Sequence, residues 1–404
     1  MTAAIFGLLI ISAIALAILY LEGIANTPKR LIFCAVLIAL AMALRALNFD
    51  YRTGDYNTFL SRWVEYFRLN GGFSALSDSI GNYNLPYLYF LAAFSYIDMP
   101  DLYLIKLLSV FFDVILAWSV ARLVYHFSSN RMAVMSAFLA TLFLPTVYLN
   151  GALWGQCDSI YAAFAIWSIV LALDDKPILS VISIALSFAF KLQAVFIMPV
   201  FLIFLFVGKM RWYHLAAFPA TYALTAIPAV MAGRPFMDAI MLYFNQAETV
   251  GSSLNYNSSS VFSFVPWNVE VNTALLSELG IVAAFLFLFL LYLYCWLNRK
   301  SLTDKSLLIC SVLIVIAVPY LLPHMHDRYF FIADVMSLAL AFIIPALGFV
   351  PFLVSFASLL GYHAYLKMQF LLPMKWGGLA LLIAIVSLLF ALMIKKLKKI
   401  EKRC

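Results

Sequence analysis

The side chains in this sequence best suited to chemistry are one carboxylate, Asp55, and a scattered set of cations, Lys191, His324, His326 and Arg328. A carboxylate held in place can serve as a general base. Asp55 opens the stretch TGDYNTFLSRWVEYF (53–67), in which Phe59, Trp63 and Phe67 recur every four positions while Thr58, Ser61, Arg62 and Glu65 fill the other side. That spacing predicts an amphipathic helix with Phe59, Trp63 and Phe67 on its apolar face. Asp50 also precedes a Tyr and is a rival. Asp55 enters the helix directly, so packing fixes its position as a base requires.

The cations suit an anionic ligand. Lys191 sits in Lys191-Leu192-Gln193, a polar break in the apolar run 178–207. It either snorkels from a helix end or meets an anion. His324-Met-His-Asp-Arg328 concentrates charge in a chain that has little, and reads either as a capped loop or as a phosphate-binding cluster. In Trp154-Gly-Gln-Cys-Asp158, Gln156 and Asp158 either cap the following helix or belong to a site. Tyr83 and Asn84 fit turn chemistry. Lys106 and Asp113, seven apart on one helix face, are expected to form a structural pair inside the membrane. Asn255 to Ser260 reads as a mobile loop, with Asn257-Ser258-Ser259 formally a glycosylation sequon.

The elements that must position these groups follow from composition. Of 404 residues, 65% are hydrophobic and 11% charged, and the mean hydropathy is +1.00. A soluble globular domain is excluded, and the expectation is an all-α polytopic membrane protein. The net charge of +7 collects in short loops and at the C-terminus, a pattern of membrane orientation that carries no nucleic-acid signal. Five cysteines without CxxC spacing give neither a disulfide framework nor a metal site.

Taken in order, the apolar runs predict about 13 spans in a single integral membrane domain over 1–404, N-terminus outside and C-terminus in the cytoplasm. The basic residues of the short loops, from Lys29-Arg30 to the tail KKLKKIEKRC, then lie inside. The segment 49–101 becomes a large outer loop carrying the Asp55 helix and a second interfacial helix, 85–97, too short to span. Core spans occupy 102–346, and further spans with the basic tail occupy 347–404. Lys191, the WGQCD cluster and the His-Met-His-Asp-Arg segment fall on the same outer face as Asp55. No internal repeat supports an inverted-repeat transporter.

The order Gly54-Asp55-Tyr56, Arg62-Trp63, Asn82-Tyr83-Asn84-Leu85-Pro86-Tyr87, WGQCD, KLQ and HMHDRYFF resembles the GT-C superfamily of polytopic membrane glycosyltransferases. It is similar to bacterial multi-span transferases and, more distantly, to dolichyl-phosphate-glucose glucosyltransferases. The likeness covers most of 49–333. It departs where the His-Glu-Lys of the glucosyltransferases stands as His326-Asp327-Arg328, and where their double Pro stands as Asn84-Leu85-Pro86.

The resemblance implies a sugar taken from a polyprenyl-phosphate donor on the extracytoplasmic side of a bacterial cytoplasmic membrane. A glycan or a lipid-linked molecule is the acceptor, membrane lipids surround the chain, and no divalent metal or other cofactor is obligatory. Asp55 matches the catalytic base, and Lys191, Arg328, His324 and His326 are expected at the donor phosphate. Tyr56, Arg62, Tyr83, Asn84, Trp154, Gln156 and Asp158 are expected to bind acceptor or sugar. A flippase or transporter of a lipid-linked sugar is the alternative; it would need essential polar residues reaching the cytoplasmic half.

Overall fold

A computed structural model of the chain describes residues 2–243, 251, 253–266 and 270–401, with side chains described up to 394. The end of the basic tail and part of the loop before residue 272 lie outside the described residues. The protein is all-α, 77% helical. It divides into two compact units, Met1–Ala194 with Trp212–Val250, and Val195–Arg211 with Gly251–Cys404.

Among the described residues seven helices are long and apolar enough to cross a membrane, eight if the bent pair Arg131–Phe143 and Pro145–Trp154 is one span. Thirteen spans are not shown. The difference lies in apolar runs that the sequence interrupts: Asp158–Leu173, Pro177–Phe190 and Phe331–Ile343 are 16, 14 and 13 residues long, short of the ~20 that a bilayer needs.

In the first unit, Thr2–Leu21 and Pro28–Ala46 form a hairpin of helices. The turn is set by Thr27, whose hydroxyl accepts from the Arg30 N–H, with Pro28 in the first helical position. The 27-residue helix Asp101–Phe127 packs against Arg131–Phe143 and Asp158–Leu173, and the latter against Pro177–Phe190. Phe112, Phe164 and Phe190 meet at the centre, the last two stacked at 5.8 Å.

Charges placed in that interior are compensated. Asp113 accepts from Arg45 at 2.9 Å and from Ser159, and the Arg45 guanidinium also donates to the carbonyl of Leu142. Lys106, fully buried, donates to the carbonyls of Asn48 and Tyr51 at 2.6 and 2.7 Å. Lys106 and Asp113 therefore do not pair with each other: two turns of helix separate them, and each finds a partner from the chain just before Asp55.

Both helices of the 49–101 segment bury side chains against the protein. The helical stretch is a π-helical turn, Tyr56–Leu60, running into Ser61–Leu69, and its buried face is Tyr56, Leu60, Val64 and Phe67. Phe59 is exposed and Trp63 half-buried. Both stripes are apolar and share Phe67, so periodicity alone did not separate the exposed Phe59 from the buried Tyr56, Leu60 and Val64. The second helix, Leu85–Phe94, buries Tyr87, Leu88, Leu91 and Ala92 on one side, with Tyr89, Phe90 and Ala93 half-buried on the other.

In the second unit, Asp304–Leu321 is buried on all sides, while Thr273–Asn298 turns Phe285, Phe289 and Leu293 outward. An apolar outer face of that length is the surface that lipid covers. The stretch at Asn255 is paired backbone: Asn255–Tyr256 lies parallel to Met325–His326 in a two-stranded sheet. Helix Val350–Lys367 accommodates this sheet through Gly361, where a Cβ would stand 2.7 Å from the Asn257 carbonyl oxygen and 2.9 Å from that of Asp327. Ser258 and Ser259 of the sequon are buried.

Candidate active site

In the first unit the WGQCD turn is the connector. Helix backbone ends at Trp154, Gly155 takes φ +78°, and the next helix starts at Asp158. The left-handed turn, natural to glycine, lets the side chains on both sides of it reach one partner. Trp154 Nε1 donates to Asp55 Oδ2 at 3.0 Å, and Gln156 Nε2 donates to the same oxygen at 2.7 Å. The Thr53 hydroxyl donates to the Trp154 carbonyl, so backbone as well as side chain is tied to the Asp55 loop.

The amide of Gln156 is itself oriented: Tyr83 Oη donates to Gln156 Oε1 at 2.9 Å, and the Ser109 hydroxyl donates to the Gln156 carbonyl at 2.8 Å. On the far side of Gly155, Asp158 pairs with Lys191 through Oδ1 and accepts from Asn150 Nδ2 at 2.7 Å through Oδ2. Lys191 is the residue at which helix Pro177–Phe190 ends, with extended backbone, and its ammonium lies 5.5 Å from the centre of the Tyr83 ring. Tyr83 thus touches both halves: its hydroxyl holds the amide on Asp55, and its ring faces the cation.

Trp154, Gln156, Asp158 and Lys191 are all at most 5% exposed. A buried ammonium and carboxylate persist together because each would be costly alone. The anion that Lys191 was expected to meet is, in this structure, Asp158.

The remaining expected residues point elsewhere. Asn84 caps its own helix by accepting from the Leu85 N–H and donates to the Tyr222 hydroxyl. Arg62 is exposed on Ser61–Leu69. Tyr56 packs against the start of helix Asp101–Phe127, where burial and the Asp101 carboxylate push its phenol above the usual range and keep it neutral. Asp50 accepts from the Tyr103 hydroxyl.

The second unit carries the other cations. His324 is committed to the backbone: Nδ1 lies 2.8 Å from the Ser253 carbonyl, Nε2 lies 3.3 Å from the Ser277 hydroxyl, and its N–H donates to the Leu254 carbonyl. His326 stacks on Tyr256 with ring centres 4.6 Å apart and 8° between planes. Arg328 is 18% exposed, its guanidinium 3.8 Å from Asp327.

Residues missed by sequence reasoning are Thr53, Lys106 as the anchor of the Asn48–Tyr51 backbone, and Asn150. Only Lys106 left a signal, as a lone cation in an apolar helix.

Compared with known families, residues 82–319 match the model of glycosyltransferase family 87. No curated protein matches the chain. The matched stretch takes in Tyr83, the WGQCD turn and Lys191; it begins after Asp55 and ends before His324.

Proposed function

Because the chain belongs to glycosyltransferase family 87, a family of GT-C polytopic membrane enzymes, we propose that it is an inverting transferase acting on a lipid-linked sugar. The donor is a polyprenyl-phosphate monosaccharide, the acceptor a glycan or lipid-linked molecule, and the reacting groups meet on the extracytoplasmic side. Family membership favours this over a flippase.

One observation carries the reading. Asp55 Oδ2 is fixed by two neutral donors, Trp154 and Gln156, from a turn whose next residue but one holds a buried lysine. Those two donors fix the carboxylate's orientation, as a general base requires.

In this mechanism Asp55 accepts the proton of the acceptor hydroxyl as its oxygen attacks C1 of the donor sugar. The C1–O bond to phosphate breaks on the opposite face, so the anomeric configuration inverts. Lys191, paired with Asp158, faces the negative charge that grows on the phosphate. Asp158 stabilises the ammonium before an anionic donor arrives. Tyr83 and Gln156 set the base. Within the second unit, Arg328 and His326 are proposed to meet an anion of their own, Arg through its planar fork, while His324 braces the strand pair there. The basic inner loops, from Lys29-Arg30 to Arg299-Lys300, favour a cytoplasmic C-terminus.

The test is transfer by the purified protein in nanodiscs, offered a polyprenyl-phosphate sugar or the matching nucleotide sugar, with the product's anomeric configuration read by NMR. The expected result is turnover of the lipid donor alone, with inversion. Use of the nucleotide donor, or a retained configuration, overturns the proposal.

A further inference from the structure

Beside Tyr56 an open cavity of about 710 Å³ is bordered by Arg68, Ser95, Tyr96, Asp98 and Asp101. Nothing in the mechanism above uses it. That volume is in the ordinary range for small-molecule sites.

Two features of its walls are built. Arg68 grips Asp101 through both terminal nitrogens, at 2.6 and 3.5 Å, and this pair is partly open to solvent. Tyr96 is 64% exposed, yet it is tightly held. Its hydroxyl donates to the Gly71 carbonyl and accepts from the Phe73 N–H, and its ring stacks on Phe73 at 5.8 Å. Gly72, at φ +64°, passes so close that a Cβ there would overlap the Tyr96 hydroxyl. An exposed aromatic face is therefore locked next to a carboxylate and a guanidinium fork.

That combination discriminates among ligands. Of the charged groups on the wall, Asp98 and Asp101 outnumber Arg68, so a phosphate or another anion is disfavoured. A neutral pyranose suits it: its C–H face lies on an aromatic ring, and its vicinal hydroxyls donate to a carboxylate and accept from a guanidinium. We propose that this cavity is a carbohydrate subsite that holds a sugar unit of the acceptor beyond the one that reacts, with Tyr96 as the platform and Asp98 and the Arg68–Asp101 pair as the hydroxyl-binding groups. The subsite's link to an acceptor rests on the proposed transferase reading, whereas its capacity to bind sugar does not.

The experiment is sugar binding to the full chain in nanodiscs prepared without glycosidic detergent, measured by saturation-transfer NMR. The soluble probes are the methyl glycosides of glucose, galactose and mannose and their disaccharides. A second arm places a monoglucosyl diacylglycerol in the disc, which separates a soluble glycan from a glycolipid headgroup as the source of the sugar. Binding of at least one probe is expected. Tyr96→Ala should raise its Kd about tenfold or more, the loss of one good contact. Asp98→Asn should weaken it less, and Ser95→Trp, which fills the cavity and leaves the platform in place, should abolish it. Unfolding midpoints exclude a folding defect.

Asp55→Asn is the control that separates the two readings. It is expected to bind sugar normally while losing transfer. If Asp55→Asn retains transfer, the base assignment fails and the cavity stands. Should no probe bind, Tyr96→Ala and Ser95→Trp bind like the parent chain, or inorganic phosphate displace the sugar competitively, the subsite is refuted.

Discussion

The two ends of helix Asp101–Phe127 handle charge in opposite ways. At the end near Phe127, Glu22 accepts from Arg122 and Trp118, and Asp174 lies 2.7 Å from His126 and 4.0 Å from Arg122. Each carboxylate there has a cationic neighbour, and the group ties two loops to one helix. At the other end Asp55 is held by the neutral Trp154 and Gln156, and the nearby cation is matched by a different acid, Asp158. Glu22 and Asp174 act as struts between loops and helix; Asp55 is aimed by two uncharged donors at the place where the proposed reaction releases a proton.

Substitutions can break or sharpen that contrast. Lys191→Ala should have the largest combined effect, because it breaks the buried Lys191–Asp158 pair, costing about 3–5 kcal/mol, and it removes a cation from the donor phosphate. The double variant Lys191→Met with Asp158→Asn should regain thermal stability and still fail to use donor. If the double variant recovers both, Lys191 is a strut like Arg122.

Gln156→Ala comes next. Transfer should fall about 10–100-fold in kcat through a misplaced base, with donor KM little changed. Tyr83→Phe, which frees the Gln156 amide by one hydrogen bond worth about 1 kcal/mol, should cost roughly fivefold. The smallest effect belongs to the far end: Arg122→Ala should lower stability by about 1 kcal/mol or less, since the pair is partly exposed, and leave the transfer rate as it was. A large loss of transfer in Arg122→Ala would erase the distinction between the ends.

Much of the first unit's site was legible in the sequence. Asp55, WGQCD, Tyr83 and Lys191 are polar residues in apolar surroundings, and such residues must find one another or a ligand. The all-α class followed from composition, and the break at Lys191 is where helix Pro177–Phe190 ends. What stayed hidden has a common cause. In a chain that lipid covers, both the protein-facing and the lipid-facing sides of a helix are apolar, so the burial of Tyr56, Leu60 and Val64 could not be told from the exposure of Phe59. Apolar runs shorter than a bilayer look like spans until their ends are seen. The pairing of Asn255 with Met325 joins segments 70 residues apart through backbone bonds, which leave no side-chain pattern. Lys106 found backbone carbonyls, an acceptor that every residue carries and that no spacing rule selects.

The central claim is that Asp55 takes the acceptor's proton. Its most direct test is Asp55→Asn beside Asp174→Asn, both in nanodiscs with a polyprenyl-phosphate sugar, with insertion and unfolding midpoint checked. The account predicts a fall in kcat of about 10²–10⁴-fold for Asp55→Asn and near-normal turnover for Asp174→Asn. Comparable rates in the two variants would contradict it.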